Sequence, residues 1–256
     1  MPMPMPLNLR IAAENRTIAK AGCYYLTNRT KVLLPADGKA LAERTKLLDI
    51  ELPQAHQPRT EQYRHTEHIE PLDTISCILQ LRADGVQGEI LALNFANANV
   101  AGGGYILGGN AQEESLCRAS LLYHAIAPHK EYYTYHRLHP TPLYSDKMLY
   151  SPDVPVFRNA KGKLLEAPQI CSFLTVAAVN RTLAKPLVAE QKITDAMQRR
   201  TAKIIAAAAD LKPEVLVLGA FGCGAFGNRR EVVLPQFDDA INRYLPSDMR
   251  VIFAIP

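Results

Sequence analysis

The reading of this chain turns on one stretch: Asn94-Phe95-Ala96-Asn97-Ala98-Asn99-Val100-Ala101-Gly102-Gly103-Gly104-Tyr105-Ile106-Leu107-Gly108-Gly109-Asn110-Ala111-Gln112-Glu113-Glu114. An apolar run over residues 89–95 enters it, two glycine clusters interrupt it, and two adjacent glutamates close it at the start of a helical pattern. Glycines let backbone N–H groups approach a phosphate, because no Cβ stands in the way and a positive φ carries no steric cost. Carboxylates delivered directly afterwards bring proton chemistry to the same place. Strand, glycine loop and acid-bearing helix together describe a ligand site at the carboxyl end of a buried strand.

Outward from that stretch, strand-like and helix-like segments alternate. The spacing predicts a helix over 7–21 ended by Gly22, a hairpin over 23–34 around Asn28-Arg29, and a helix over 72–81. Residues 112–126 read as one helix with Leu116, Ala119, Tyr123 and Ile126 on one face. The tyrosine- and proline-rich region 130–168 reads as short strands and loops, including 147–150 and 154–158, and 170–179 as an apolar run. A long amphipathic helix over 190–211, a strand over 215–218, a helix carrying Val233, Phe237, Ala240, Ile241 and Tyr244, and a strand over 250–255 complete the pattern. Residues 51–71 read as an exposed connection. Such alternation implies an α/β fold.

Nine of the 14 glycines fall in two loops: Gly102, Gly103, Gly104, Gly108 and Gly109 in one, Gly219, Gly222, Gly224 and Gly227 in the other. Each loop follows a buried strand and precedes a helix, so the two can clasp a diphosphate from both sides. Neither has the form of a P-loop or of a dinucleotide-binding fingerprint.

The 256 residues are 48% hydrophobic and 21% charged, with a net charge of +4. That balance is ordinary for a globular chain and suits an anionic ligand without requiring nucleic acid. Cys23, Cys77, Cys117, Cys171 and Cys223 are odd in number and include no C-x-x-C pair, which argues for a reducing compartment and against a disulfide framework. Cys223, between two glycines, reads as a small loop side chain rather than a nucleophile. No basic leader opens the chain and no apolar segment reaches roughly 18 residues, so a cytoplasmic location is expected. His56, His65, His68, His124, His129, His136 and His139 lack ligand spacing. They read as surface residues and no metal is expected.

Gly102-Gly103-Gly104, seven residues of spacer and Gln112-Glu113-Glu114 resemble the GGG…QEE signature of the poly(ADP-ribose) glycohydrolases, which are macrodomain proteins, and are most similar to the microbial type. The resemblance extends to the helix around Ile11-Ala12-Ala13-Glu14, to the segment 150–158 and to the loop 219–228. Val100-Ala101 stands where the family often carries Asn-Pro. The resemblance implies a three-layer α/β/α macrodomain-like sandwich with a mixed central sheet and an N-terminal helical extension. It implies one domain over 1–256, with 1–70 accessory and 71–256 the macrodomain core.

The resemblance also implies roles. Glu114 is expected as the acid/base that cuts the ribose–ribose bond at the chain terminus, and Glu113 as its helper on the ribose hydroxyls. Asn97 is expected on that ribose. Gly102, Gly103, Gly104, Gln112, Gly222, Cys223, Gly224, Ala225 and Phe226 complete the substrate-binding set, with Phe226 against the distal ribose. The residues alone agree in one respect. Adjacent positions in a helix point about 100° apart, so this pair cannot face one sugar as two carboxylates about 5 Å or more apart. Expected partners are poly(ADP-ribose) or an ADP-ribosylated protein as substrate and ADP-ribose as product, with no cofactor, no direct DNA binding, no membrane and a monomeric chain. Two rivals remain open on sequence: a hydrolase of single ADP-ribose groups on proteins, and a macrodomain that binds ADP-ribose without cutting it.

Overall fold

The computed structural model describes residues 6–53, 66–246 and 249–256. In chain order the elements are α1 (Leu7–Ala21), β1 (Cys23–Tyr25), β2 (Lys31–Leu33), α2 (Gly38–Arg44), β3 (Lys46–Leu48), β4 (Thr66–Ile69), α3 (Thr74–Ala83), β5 (Ile90–Phe95), a one-turn 3-10 helix (Tyr105–Leu107) and α4 (Gln112–Ala119). There follow α5 (Leu122–Ile126), α6 (Lys130–Leu138), β6 (Met148–Arg158), β7 (Leu164–Val176), α7 (Arg181–Ala184), α8 (Glu190–Leu211), β8 (Val215–Leu218), α9 (Arg230–Tyr244) and β9 (Arg250–Ala254).

Seven strands form one mixed sheet in the order β3-β6-β7-β5-β8-β9-β4. From β7 through β4 the pairs are parallel, and β6 and β3 add antiparallel pairs at one side. Alternate residues of β5 serve opposite faces. Ile90 and Ala92 join the core beneath α1 and α3–α6, while Leu91 and Leu93 join the core beneath α8 and α9. A strand buried on both faces reads as a continuous apolar run, which is the form residues 89–95 take in the sequence. The architecture is the macrodomain-like α/β/α sandwich.

Four expectations change. Residues 112–126 form two helices, because Ser120 is extended (φ −141°, ψ −179°) and pairs with Val156. Its hydroxyl donates to Leu116 O and accepts from Leu122 N, an alternative to continuing the helix. Residues 130–138 are helical, with Tyr132, Tyr133 and His136 buried on one side, so packing overrides the strand preference of tyrosine. The two short strands read around 147–158 are one strand, β6, bulged between Ser151 and Val154 beside Pro152, with Asp153 at φ 51°. The connection over 51–71 carries β4, which pairs with β9 and includes His68; His56 and His65 lie outside the described residues.

Both edge strands of the sheet, β3 and β4, precede residue 71, and Ile18, Ala19, Tyr24 and Leu41 belong to the main core. The sheet therefore does not respect a boundary at 70/71. The hairpin β1–β2 pairs Cys23 with Leu33, as its sequence suggests.

Candidate active site

Strands β5 and β8 are parallel neighbours, so the loops that leave their carboxyl ends emerge side by side. Their pairing stops at Ala92–Val217, whereas β5 remains paired with β7 as far as Phe95–Val176. The sheet thus parts below the two glycine loops. Phe95 at the base of the first loop meets Phe221 of the second edge-on, with ring centroids 5.5 Å apart.

Gln112 fills the parting. Its Oε1 accepts from Phe95 N at 2.9 Å, and its Nε2 donates to Leu93 O at 2.8 Å and to Thr74 Oγ1 at 3.2 Å. The amide supplies the bonds that a continued β8 would have made, and in doing so sets the first turn of α4. Both ends of the amide are thus engaged within the protein, which gives Gln112 a structural role.

The two glutamates of that turn are buried, Glu113 at 3% and Glu114 at 9% exposure. Glu113 points inward. Its Oε2 accepts from Asn97 N at 2.7 Å and its Oε1 from Asn94 Nδ2 at 3.4 Å. Burial pushes this carboxyl up to about 8, against the lowering effect of the Asn97 and Asn94 hydrogen bonds. Glu113 therefore fixes Asn97 rather than reaching past it. The Asn97 Oδ1 is bound by Asn99 N and Val100 N, while its Nδ2 has no partner among the described residues.

Glu114 points toward the first glycine loop. Its Oε1 accepts from Gly104 N at 2.8 Å, and its buried Oε2 has no hydrogen-bond partner among the described residues. Gly103, at φ 54°, lies so close that a Cβ would sit 2.6 Å from Glu114 Oε1 and 3.2 Å from Glu113 Oε2. The N–H of Gly103 goes to Val100 O and that of Gly104 to Glu114. The first loop thus spends the two N–H groups expected for phosphate on its own turn and on the acid.

The second loop differs. Gly222 turns the chain at φ 71°, where a Cβ would lie 2.6 Å from both Ala178 Cβ and Asn228 Nδ2. Asn228 closes the turn by donating to Val179 O at 2.7 Å and to Gly222 O at 3.0 Å. The N–H groups of Gly222, Gly224, Ala225 and Phe226 meet no acceptor among the described residues, and Gly224 and Ala225 are exposed. The Phe226 ring lies 6.0 Å from that of Tyr144. Burial, with Glu231 adding to it, pushes the Cys223 thiol up to about 11, which leaves no thiolate near neutral pH.

Sequence reasoning missed the supports behind the site, which join residues far apart in the chain. Asn15 of α1, fully buried, donates to Cys117 O and Arg118 O at the end of α4 and accepts from Arg158 Nε at 3.1 Å. Arg118 donates to Gly109 O, to Asn110 Oδ1 at 2.7 Å and to Ser115 Oγ at 2.9 Å, tying the far end of the first loop to α4. Arg200, also fully buried, binds Asp146 Oδ1, Ala177 O and Leu143 O beneath the second loop. The arginines at positions 199 and 200 hold the Asp146 carboxyl below its usual range despite burial.

The histidines do not cluster. Burial lowers both His124, to about 4, and His136, which is buried and bound to Tyr132 O and Ser145; neither is the surface residue expected. Among the described residues no group of His, Cys, Asp and Glu could hold a metal, and no helix is long and apolar enough to cross a membrane.

A parted sheet between helical layers, with two glycine loops at its carboxyl ends and a buried, half-satisfied carboxylate against the first, defines a macrodomain-like ligand site. The sequence profile of the microbial-type PARG catalytic domain matches residues 12–159. Poly(ADP-ribose) glycohydrolase from Thermomonospora curvata bound to the inhibitor ADP-HPD is similar over 97% of this chain and 92% of its own, with 32% identity and a TM-score of 0.83. The enzyme from Deinococcus radiodurans in complex with ADP-ribose is similar over 88% of this chain and 92% of its own, with 30% identity and a TM-score of 0.73. No curated protein matches significantly. The chain belongs to the microbial-type poly(ADP-ribose) glycohydrolase family, a family of glycosidases. The second glycine loop lies outside the profile match.

Proposed function

We propose that this chain hydrolyses the ribose–ribose O-glycosidic bond at the terminus of poly(ADP-ribose) and releases ADP-ribose. The observation that carries the reading is the asymmetry of the Glu114 carboxyl: Oε1 is pinned by Gly104 N, and Oε2 is buried without a partner among the described residues, ready for a substrate oxygen. The Glu114 acid gives its proton to the 2′-oxygen of the leaving unit as the bond from that oxygen to the anomeric carbon breaks. The resulting carboxylate takes a proton from water while the water oxygen bonds to the oxocarbenium-like anomeric carbon. Glu113 acts through Asn97, whose free Nδ2 donates to the distal ribose. The N–H groups of Gly222, Gly224, Ala225 and Phe226 hold the diphosphate, and Phe226 packs against the same ribose. One acid acting in turn as donor and acceptor suits an adjacent pair whose other member faces inward.

Labelled poly(ADP-ribose) is the test, with Glu114→Gln beside the wild type. Turnover in the variant should fall by about 10²–10⁴-fold, the usual share of a general acid/base, while ADP-ribose affinity measured by calorimetry stays within a few-fold. Cleavage at the original rate would remove Glu114 from the role. Five free cysteines are consistent with a reducing, cytoplasmic setting.

A further inference from the structure

We infer that Asn15 is a positioning residue for Glu114, holding the catalytic helix from behind; the inference rests on Glu114 as the acid/base. Helix α4 has only eight residues, and Ala111 at its N-cap offers no capping side chain. Its start is fixed by the bonds of Gln112, Glu113 and Glu114. Its end would leave carbonyls unsatisfied, because Ser120 leaves the helical conformation and provides for Leu116 O alone. Asn15 provides for the next two, donating to Cys117 O at 3.3 Å and to Arg118 O at 2.9 Å. Those carbonyls lie three and four residues beyond Glu114, one turn along the same rod.

Asn15 is itself held. Arg158, 4% exposed, donates to Asn15 Oδ1, to Gly162 O at 3.0 Å and to Glu14 Oε2 at 2.8 Å. The chain of contacts runs from Glu14 through Arg158 and Asn15 to the carbonyl end of α4. Asn8, two turns earlier on α1, donates to Gly108 O at 3.2 Å. One N-terminal helix therefore braces both the acid-bearing rod and the glycine loop against which its carboxyl is pinned. Rotation of so short a helix would carry Glu114 off Gly104 N, and displacements of about 1 Å can cost on the order of 10²-fold in rate. Nothing in the relay touches the second loop, so binding of ADP-ribose through its diphosphate should be spared.

The experiment compares Asn15→Asp, Asn15→Ala, Glu14→Ala and Glu114→Gln. Asn15→Asp keeps an acceptor for Arg158 and removes both donors. It should lower kcat on poly(ADP-ribose) by about tenfold with KM and the Kd of ADP-ribose within twofold, measured well below the melting temperature. Glu14 is half-exposed, so Glu14→Ala keeps the question answerable where Asn15 variants do not fold; a two- to fivefold loss confined to kcat is expected. Full kcat in a folded Asn15→Asp, full kcat in Glu14→Ala, or parallel losses in kcat and ADP-ribose affinity would each overturn the inference. An inactive Glu114→Gln beside a fully active Asn15→Asp removes only Asn15, whereas an active Glu114→Gln removes the acid assignment itself.

Discussion

The two glycine loops leave adjacent parallel strands, yet they use their glycines in opposite ways. In the first, residues 102–109, the chain folds onto its own glutamates. Gly103 stands where a side chain would collide with Glu114, and the N–H groups of Gly103 and Gly104 are internally engaged. In the second, residues 219–228, Asn228 and Gly222 close a turn that leaves the N–H groups of Gly222, Gly224, Ala225 and Phe226 without an acceptor among the described residues. One loop is closed around an acid and the other is open to an anion. Similar composition thus engages a carboxyl in one case and leaves backbone donors without a protein acceptor in the other.

Substitutions that separate these two uses should act in descending order. Gly103→Ala forces a left-handed residue and a 2.6 Å contact on Glu114 Oε1. It should cost about 10²-fold in kcat and about 1–3 kcal/mol in stability, with ADP-ribose binding retained in calorimetry. Gly222→Ala meets the same geometric objection in the open loop. Its loss should appear chiefly as weaker ADP-ribose binding, by about tenfold for roughly 1.4 kcal/mol of lost contact. If Gly103→Ala weakens binding and Gly222→Ala slows catalysis, the contrast between the loops is wrong.

A smaller effect concerns pH. Glu113 titrates at about 8 in the folded chain, because burial disfavours its charged form, against an ordinary 4.5. The native state then holds a proton that the unfolded chain releases between those values. The stabilisation is complete below about pH 4.5 and is lost as pH rises through about 8. Melting temperatures from pH 5 to 9 should fall more steeply for the wild type than for Glu113→Gln; equal slopes would show that the carboxyl is charged throughout. Smallest of all, Gly224→Ala places its methyl in open space and should leave stability within about 0.5 kcal/mol, and Cys223→Ala should keep kcat within twofold.

The legible parts of the sequence were those governed by local pattern. Helices α1 and α8 and strand β8 carry clear periodicity or continuous apolarity and lie where the spacing puts them, and the glycine loops and acid pair identify themselves by composition. What escaped is held by distant partners. Strands β3 and β4 are three and four residues long and mostly exposed, so only pairing with β6 and β9 makes them strands. Helix α6 hides in tyrosines that look strand-like until Tyr132, Tyr133 and His136 share one buried side. At the site, the resemblance to the GGG…QEE signature implies Gln112 as a ligand contact, yet Leu93, Phe95 and Thr74 claim its amide. Asn15 carries no local signal at all, since the carbonyls it serves lie more than 100 positions away.

The glutamine that stands in for a missing strand has a consequence for assembly. Until α4 docks, Leu93 O and Phe95 N in the middle of the sheet have no lasting partner; once it docks, the same event seats both glutamates. Completion of the sheet and seating of the acids are therefore coupled through one side chain, Gln112. Hydrogen exchange at the Phe95 amide should report the moment at which a newly folded molecule becomes competent.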